Sequence, residues 1–161
     1  MRRLSSIQAW GPANGAKVLG VAKDLAGPRP LILTLTHFHP ERGFGAQAFK
    51  GAVKIIYNEA QRDELKRKGE AFLGMFRTFG PGVAAALEAT KIVEPDEVYR
   101  GPSATIDLGG PTVELRATGK AHTLGGQTVH VADCSCRLHG RPGGGTDVPD
   151  LPVVSAGRGR H

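Results

Sequence analysis

A chain of 161 residues with 40% hydrophobic content can bury one modest core, and its 23 glycines and 11 prolines are many for that length. The net charge of +6 favours acidic partners, but the basic residues are scattered among only six Phe, two Tyr and one Trp, which argues against specific nucleic-acid binding. No run of about 18 apolar residues is present, and MRRLSSIQAW lacks the apolar stretch of a signal peptide, so a cytoplasmic protein with no membrane span is expected.

The first predicted helix runs from Ala13 to Leu25, with Val18, Leu19, Ala22 and Leu25 at helical spacing and Asn14 as its cap. Gly27-Pro28-Arg29-Pro30 ends it, and Leu31 to Leu35 is a short, continuously apolar strand. Thr36-His37-Phe38-His39-Pro40-Glu41-Arg42-Gly43 follows at the carboxyl end of that strand, where open α/β sheets place their ligands. His37 and His39, one residue apart, can face one point once Pro40 and Gly43 bend the chain out of its pleat, and that is a metal-binding arrangement.

Next come a short helix from Ala46 to Lys50, a strand from Val53 to Tyr57, and a charged helix from Asn58 to Lys68 capped by Asn58. A second helical stretch, Ala71 to Ala89, is interrupted by Gly80-Pro81-Gly82 and should form two pieces. Its Phe72, Met75, Phe76 and Phe79 recur at helical spacing, as a core-facing stripe does.

Beyond Ile92 the period shortens. Thr105 to Leu108, the turn Gly109-Gly110-Pro111 and Thr112 to Arg116 read as a hairpin, with Val113 and Leu115 on one face and Glu114 and Arg116 on the other. A further strand, Thr128 to Val131, follows a loop carrying His122. Two strand-end loops can thus meet over one metal, and three imidazoles with an open fourth position make the catalytic type of zinc site. The competing reading is that His37 and His39 are loop histidines without a metal. His130 alternates within its strand and reads as a sheet-face residue, and His139 and His161 carry no signal. Cys134 and Cys136 are too close for an ordinary disulfide and unlike a CxxC motif, so they read as reduced thiols.

THFHPERG resembles the HxHxDH signature of the metallo-β-lactamase superfamily, and IDLGGPTVELRATGKAHTLGGQTVHVAD resembles its downstream hairpin and single-histidine loop. The resemblance runs from about Gly11 to Asp133 and implies an α/β fold, an αββα sandwich in partial copy, whose metals activate water for hydrolysis. It implies zinc on His37, His39 and His122. The second-site aspartate falls on Glu41 and the second-site histidine on Arg42, whose fixed positive charge cannot ligate and repels a second dication, so one ion is expected. Glu41 can orient the attacking water or take its proton.

Three segments follow: an irregular 1–10, the partial metallo-β-lactamase-like domain 11–133, and a Gly/Arg/Pro-rich tail 134–161 that is disordered by composition. The superfamily carries a strand with a metal-bridging aspartate after such a hairpin, and several strands before the first helix. One codon choice for Gly143 to Ala156 reads VEERTFPIFPWFP in the next frame, so a frame change near Asp133 is the expectation for this tail. Uncovered sheet edges and marginal folding are expected in consequence. Two function classes emerge: a zinc-dependent hydrolase of an ester, thioester, lactam or related small-molecule bond, and a metal-free binding or scaffold domain that keeps the fold without the chemistry. The pattern does not select a substrate or an oligomeric state.

Overall fold

The computed structural model describes residues 3–5, 10–119, 121–131 and 136–138, with 3–5 and 136–138 described by their backbone alone. The elements in chain order are β1 (Arg3–Ser5), α1 (Gly11–Ala26), β2 (Leu31–Leu33), α2 (Pro40–Gly43), a 3₁₀ turn (Ala46–Phe49), β3 (Lys54–Asn58), α3 (Glu59–Arg77), α4 (Pro81–Leu87) and β4 (Glu97–Tyr99), then β5 (Ser103–Asp107), β6 (Thr112–Gly119), β7 (Gly126–Val131) and β8 (Cys136–Leu138). They form two sheets. The first has the order β1-β2-β3-β4 and is wholly parallel, so each pair of neighbours is joined by a crossover through helix or 3₁₀ turn. The second, β5-β6-β7-β8, is an antiparallel meander.

Alternation along the strands assigns each side chain to a layer. Leu33, Leu35, Ile55 and Tyr57 pack with Leu19 of α1 and Leu65 of α3 on the helical side of the first sheet. Ile32, Ile56 and Tyr99 face the other way, against Ile106, Leu108, Val113, Leu115 and Val129 of the second sheet. The layers are therefore helices, parallel sheet and antiparallel sheet. No helix covers the outer side of the second sheet among the described residues, and that face carries Thr105, Glu114, Arg116 and His130.

Several boundaries differ from the sequence expectation for physical reasons. Helix α1 begins at Gly11 with Pro12 in its first turn, pre-set for the helical φ, so Trp10 is the cap and Asn14 lies inside. Gly11 has φ 70° and its α-hydrogen faces Ala86, where a Cβ would stand 2.1 Å from the carbonyl oxygen. Leu25 is exposed, and Ala26 takes the buried position instead. Helix α3 is continuous through Gly69 and Glu70, because Gly69 is a packing site: a Cβ there would lie 3.2 Å from Ile92 Cδ1. Of the aromatic stripe, Phe72 and Phe76 pack against the cluster of Phe44, Leu73 and Leu87, whereas Met75 and Phe79 are exposed. The predicted hairpin forms, with Ile106 opposite Val113.

Arg3–Ser5 lies in the segment read as irregular, and Cys136–Leu138 in the segment read as tail; both pair as strands. The boundary at Asp133, Cys134, and 139–161 with His139 and His161 lie outside the described residues, as does the side chain of Cys136. No helix among the described residues is long and apolar enough to cross a membrane.

Candidate metal centre

Strand β2 delivers a buried run through Thr36 and His37, and Pro40 then starts the one-turn helix α2 with His39 as its cap residue. The backbone amides of Arg42 and Gly43 both donate to the His39 carbonyl, at 2.9 and 2.8 Å, which fixes the turn. One helical step on, Glu41 returns toward the strand end, where His37 Nε2 lies 3.0 Å from its Oε1. The Thr36 hydroxyl lies 3.1 Å from His37 Nδ1; without a metal Nε2–H donates to Glu41 and Nδ1 accepts from Thr36, whereas a metal on Nε2 would require the other tautomer, with Nδ1–H donating to the Thr36 oxygen.

His122 arrives in the connection between β6 and β7. Its ring centroid lies 4.9 Å from that of His37 and 4.5 Å from that of His39, and the His37 and His39 centroids are 5.0 Å apart. All three ring pairs meet edge to face, at 84°, 76° and 84°. One ligand atom from each of His37, His39, Glu41 and His122 can be chosen so that all lie within 4.8 Å of one another. Sequence reading names these four residues, and the fold brings them together. His130 stands apart, half-buried opposite Glu114 on the outer face of the second sheet. Arg42 is half-buried on α2; burial depresses its proton affinity, the Glu41 carboxylate offsets part of this, and the guanidinium stays charged.

The electrostatics suit a cation. Burial lowers the pKa of His39, and the neighbouring His37 and His122 lower it further against the partial opposition of Glu41 and Glu64. Burial pushes Glu41 up, but the hydrogen bond to His37, its own backbone and the charges on His37 and His39 more than reverse this. An ionised carboxylate therefore stands beside imidazoles in a cluster that is half closed to water. Imidazole nitrogens with one carboxylate oxygen are the donors that zinc and similar borderline ions accept, so the residues present fit a metal.

The residues that sequence reasoning misses are those that align the two ligand segments. Gln127 on β7 points into the space between the sheets, donating to the Thr34 hydroxyl and the Leu35 carbonyl, both at 2.7 Å, while its own amide donates to the Thr36 carbonyl at 2.8 Å. Its Oε1 accepts from the Tyr99 hydroxyl at 2.6 Å, and burial pushes the pKa of that phenol up to about 12, so it remains a donor. Asn58 accepts from the Gln61 amide as the α3 cap and also donates to the Gly125 carbonyl at 2.8 Å. Gln61 donates to Leu35. The available signal is that Gln61 and Glu64 share the buried stripe of α3 with Leu65, Gly69 and Leu73, polar residues where apolar ones are expected.

No family model matches the sequence, and no curated protein matches it. Solved structures do. A metallo-β-lactamase from Pontibacter korlensis superposes with TM-score 0.59 at 18% identity, over 80% of this chain and 49% of that one. DIM-1 metallo-β-lactamase exposed to ceftazidime gives 0.55 at 13% identity, over 81% and 48%. Native FEZ-1 metallo-β-lactamase from Legionella gormanii gives 0.53 at 15%, over 84% and 50%. The chain spans about half the length of the structures it matches, and at these identities the likeness speaks to the fold.

Proposed function

From the metallo-β-lactamase fold that this chain carries in partial copy, we propose that His37, His39 and His122 hold one zinc ion and that the site hydrolyses an ester, thioester, lactam or related bond of a small molecule in the cytoplasm. The observation that carries this is the convergence of ligand atoms from His37, His39, Glu41 and His122 within 4.8 Å, from two segments far apart in the chain. Zinc held by the neutral imidazoles of His37, His39 and His122 would supply a Lewis acid able to polarise a scissile carbonyl and to acidify water. Glu41, held ionised beside His37, accepts the proton of the attacking water and passes it to the leaving group. The fixed charge of Arg42 in the second-site position favours a single ion and an anionic or electron-rich substrate edge.

Metal analysis of the purified chain tests the reading. About one zinc per chain, falling below stoichiometry through weaker but still measurable binding in His122→Ala, together with chelator-sensitive hydrolysis of an ester or lactam, is the expected result. No stoichiometric zinc defeats it and leaves the metal-free scaffold, and zinc unaffected by His122→Ala defeats the ligand set.

The inclusion of Glu41 in the four-residue cluster favours a second reading, in which its carboxylate is the fourth ligand and the site closes, as structural zinc sites do. Glu41→Ala separates the two: zinc retained with hydrolysis lost marks a base, whereas weakened zinc marks a ligand.

A further inference from the structure

The first turns of α3 are densely charged, yet the side chain of Glu64 is 3% exposed. A buried carboxylate is costly unless its oxygens are satisfied, and here each oxygen has its own task. Oε1 accepts from Lys68 Nζ at 2.7 Å, one turn along the same helix. Oε2 leaves the helix altogether and accepts from the backbone amides of Leu124 at 2.8 Å and Gly125 at 3.4 Å.

Those amides belong to the loop that carries His122. Three residues of α3 and its cap, spaced one helical turn apart, address the same loop. Asn58 binds the Gly125 carbonyl, the Gln61 backbone is the surface on which Gly125 rests, and Glu64 takes the two amides. A Cβ on Gly125 would stand 2.2 Å from Gln61 Cα, so loop and helix are in direct backbone contact. His122 itself is exposed, and its imidazole direction depends on how the following residues are held. Glu64 is the only charged group among these contacts, and hydrogen bonds to ionised acceptors are about twice as strong as neutral ones.

We propose that Glu64 is the positioning residue for His122, clamping the 122–125 loop onto α3 so that the third imidazole faces His37 and His39. The proposal rests on the metal reading above for its consequence, though not for the clamp itself. Glu64 touches neither metal nor substrate; it acts through the loop backbone. Outer partners that orient a ligand typically change metal affinity about 10–100-fold when removed.

The test uses the full chain as wild type, Glu64→Ala, Glu64→Gln, His122→Ala and the Glu64→Ala/His122→Ala double variant. Zinc affinity is read by competition with a chromophoric chelator, and amide hydrogen exchange at Leu124 and Gly125 is read in metal-free protein. Glu64→Ala is expected to lose about 10–100-fold in zinc affinity and to lose protection at both amides. Glu64→Gln, which keeps one neutral acceptor oxygen at the same reach but loses the charge, should fall between wild type and Glu64→Ala in both protection and affinity. In the His122→Ala background, Glu64→Ala should cost nothing further, because the residue through which it acts is gone. An equal loss in both backgrounds, or wild-type affinity in a folded Glu64→Ala chain, overturns the proposal. If Glu64→Ala does not fold, Glu64→Asp draws the carboxylate back by one methylene and should lose protection and affinity in the same direction; unchanged values overturn the proposal. Absence of zinc binding by the wild type defeats the metal reading, and the exchange data then decide the clamp alone: unchanged protection in Glu64→Ala overturns it.

Discussion

The two segments that form the candidate site are held by different kinds of force. His37, His39 and Glu41 lie within five residues of one another, and a proline-started turn with two backbone hydrogen bonds sets their relation locally. His122 comes from the far end of a separate sheet and is placed by long-range polar contacts from Asn58, Glu64 and Gln127 and by one glycine. A chelating pair written into one turn survives small shifts of the fold. A distal ligand does not, because its geometry is only as good as the interface between the sheets.

That contrast is broken most severely at the local pair. His37→Ala removes a proposed ligand and the partner of Glu41, and zinc affinity should fall by more than the roughly 100-fold that marks the loss of an outer partner. Unfolding of the metal-free chain should lose less, about 1–2 kcal/mol, because the buried ring leaves a cavity and takes its bonds to Thr36 and Glu41 with it while the turn keeps its backbone bonds. Chelator competition and urea unfolding in EDTA measure the two quantities separately. The distal loop should show the opposite balance, with stability and zinc affinity falling together. Gly125→Ala drives a Cβ into the Gln61 backbone, which has no flexible side chain to yield, and about 3 kcal/mol of destabilisation is expected by urea unfolding, the upper end of overpacking costs. Metal affinity should weaken in the same variant as His122 is displaced.

These two segments also mark what the sequence makes legible. The histidine turn is readable because its causes are adjacent in the chain: an apolar strand, alternating imidazoles, a proline. The hairpin of β5 and β6 is readable for the same reason, its turn glycines and alternation lying side by side. Gly69 misleads because a glycine that breaks a helix and a glycine that admits Ile92 look identical until the partner is known. The short β4 passes unnoticed since three residues carry no period, and what anchors Tyr99 is Gln127, on another sheet. Gln127 and Glu64 are themselves invisible as site residues, because a polar residue in a strand or charged helix ordinarily faces water.

Gln127→Leu sharpens the comparison at a smaller magnitude. The leucine fills much of the volume but leaves the Tyr99 hydroxyl without its acceptor and removes the bonds to Thr34 and Leu35. The Thr34 hydroxyl keeps Ile56 and the Leu35 carbonyl keeps Gln61, so about 2 kcal/mol is expected rather than the collapse of the whole network, measured by urea unfolding of the metal-free chain. A cost near zero would mean that apolar contact alone aligns the two sheets.

The smallest effect is expected at Lys68, and it separates charge from position. Lys68 is nearly half exposed, so deleting its pair with Glu64 should cost only about 0.3–0.5 kcal/mol at neutral pH. Its influence is clearer on acidification. Burial raises the proton affinity of Glu64, and the bonds from Lys68, Leu124 and Gly125 more than reverse this, leaving the carboxyl below its usual range. A depressed carboxylate contributes stability that is complete above its unfolded pKa and is lost as pH falls through its folded one. Lys68→Ala removes the largest of the lowering influences, so the folded pKa rises and loss of protection at Leu124 should begin at a higher pH than in the wild type. If the exchange profile of Leu124 against pH does not move in Lys68→Ala, the amides of the loop alone hold Glu64 ionised, and the grip of α3 on His122 is a backbone property that the lysine does not share.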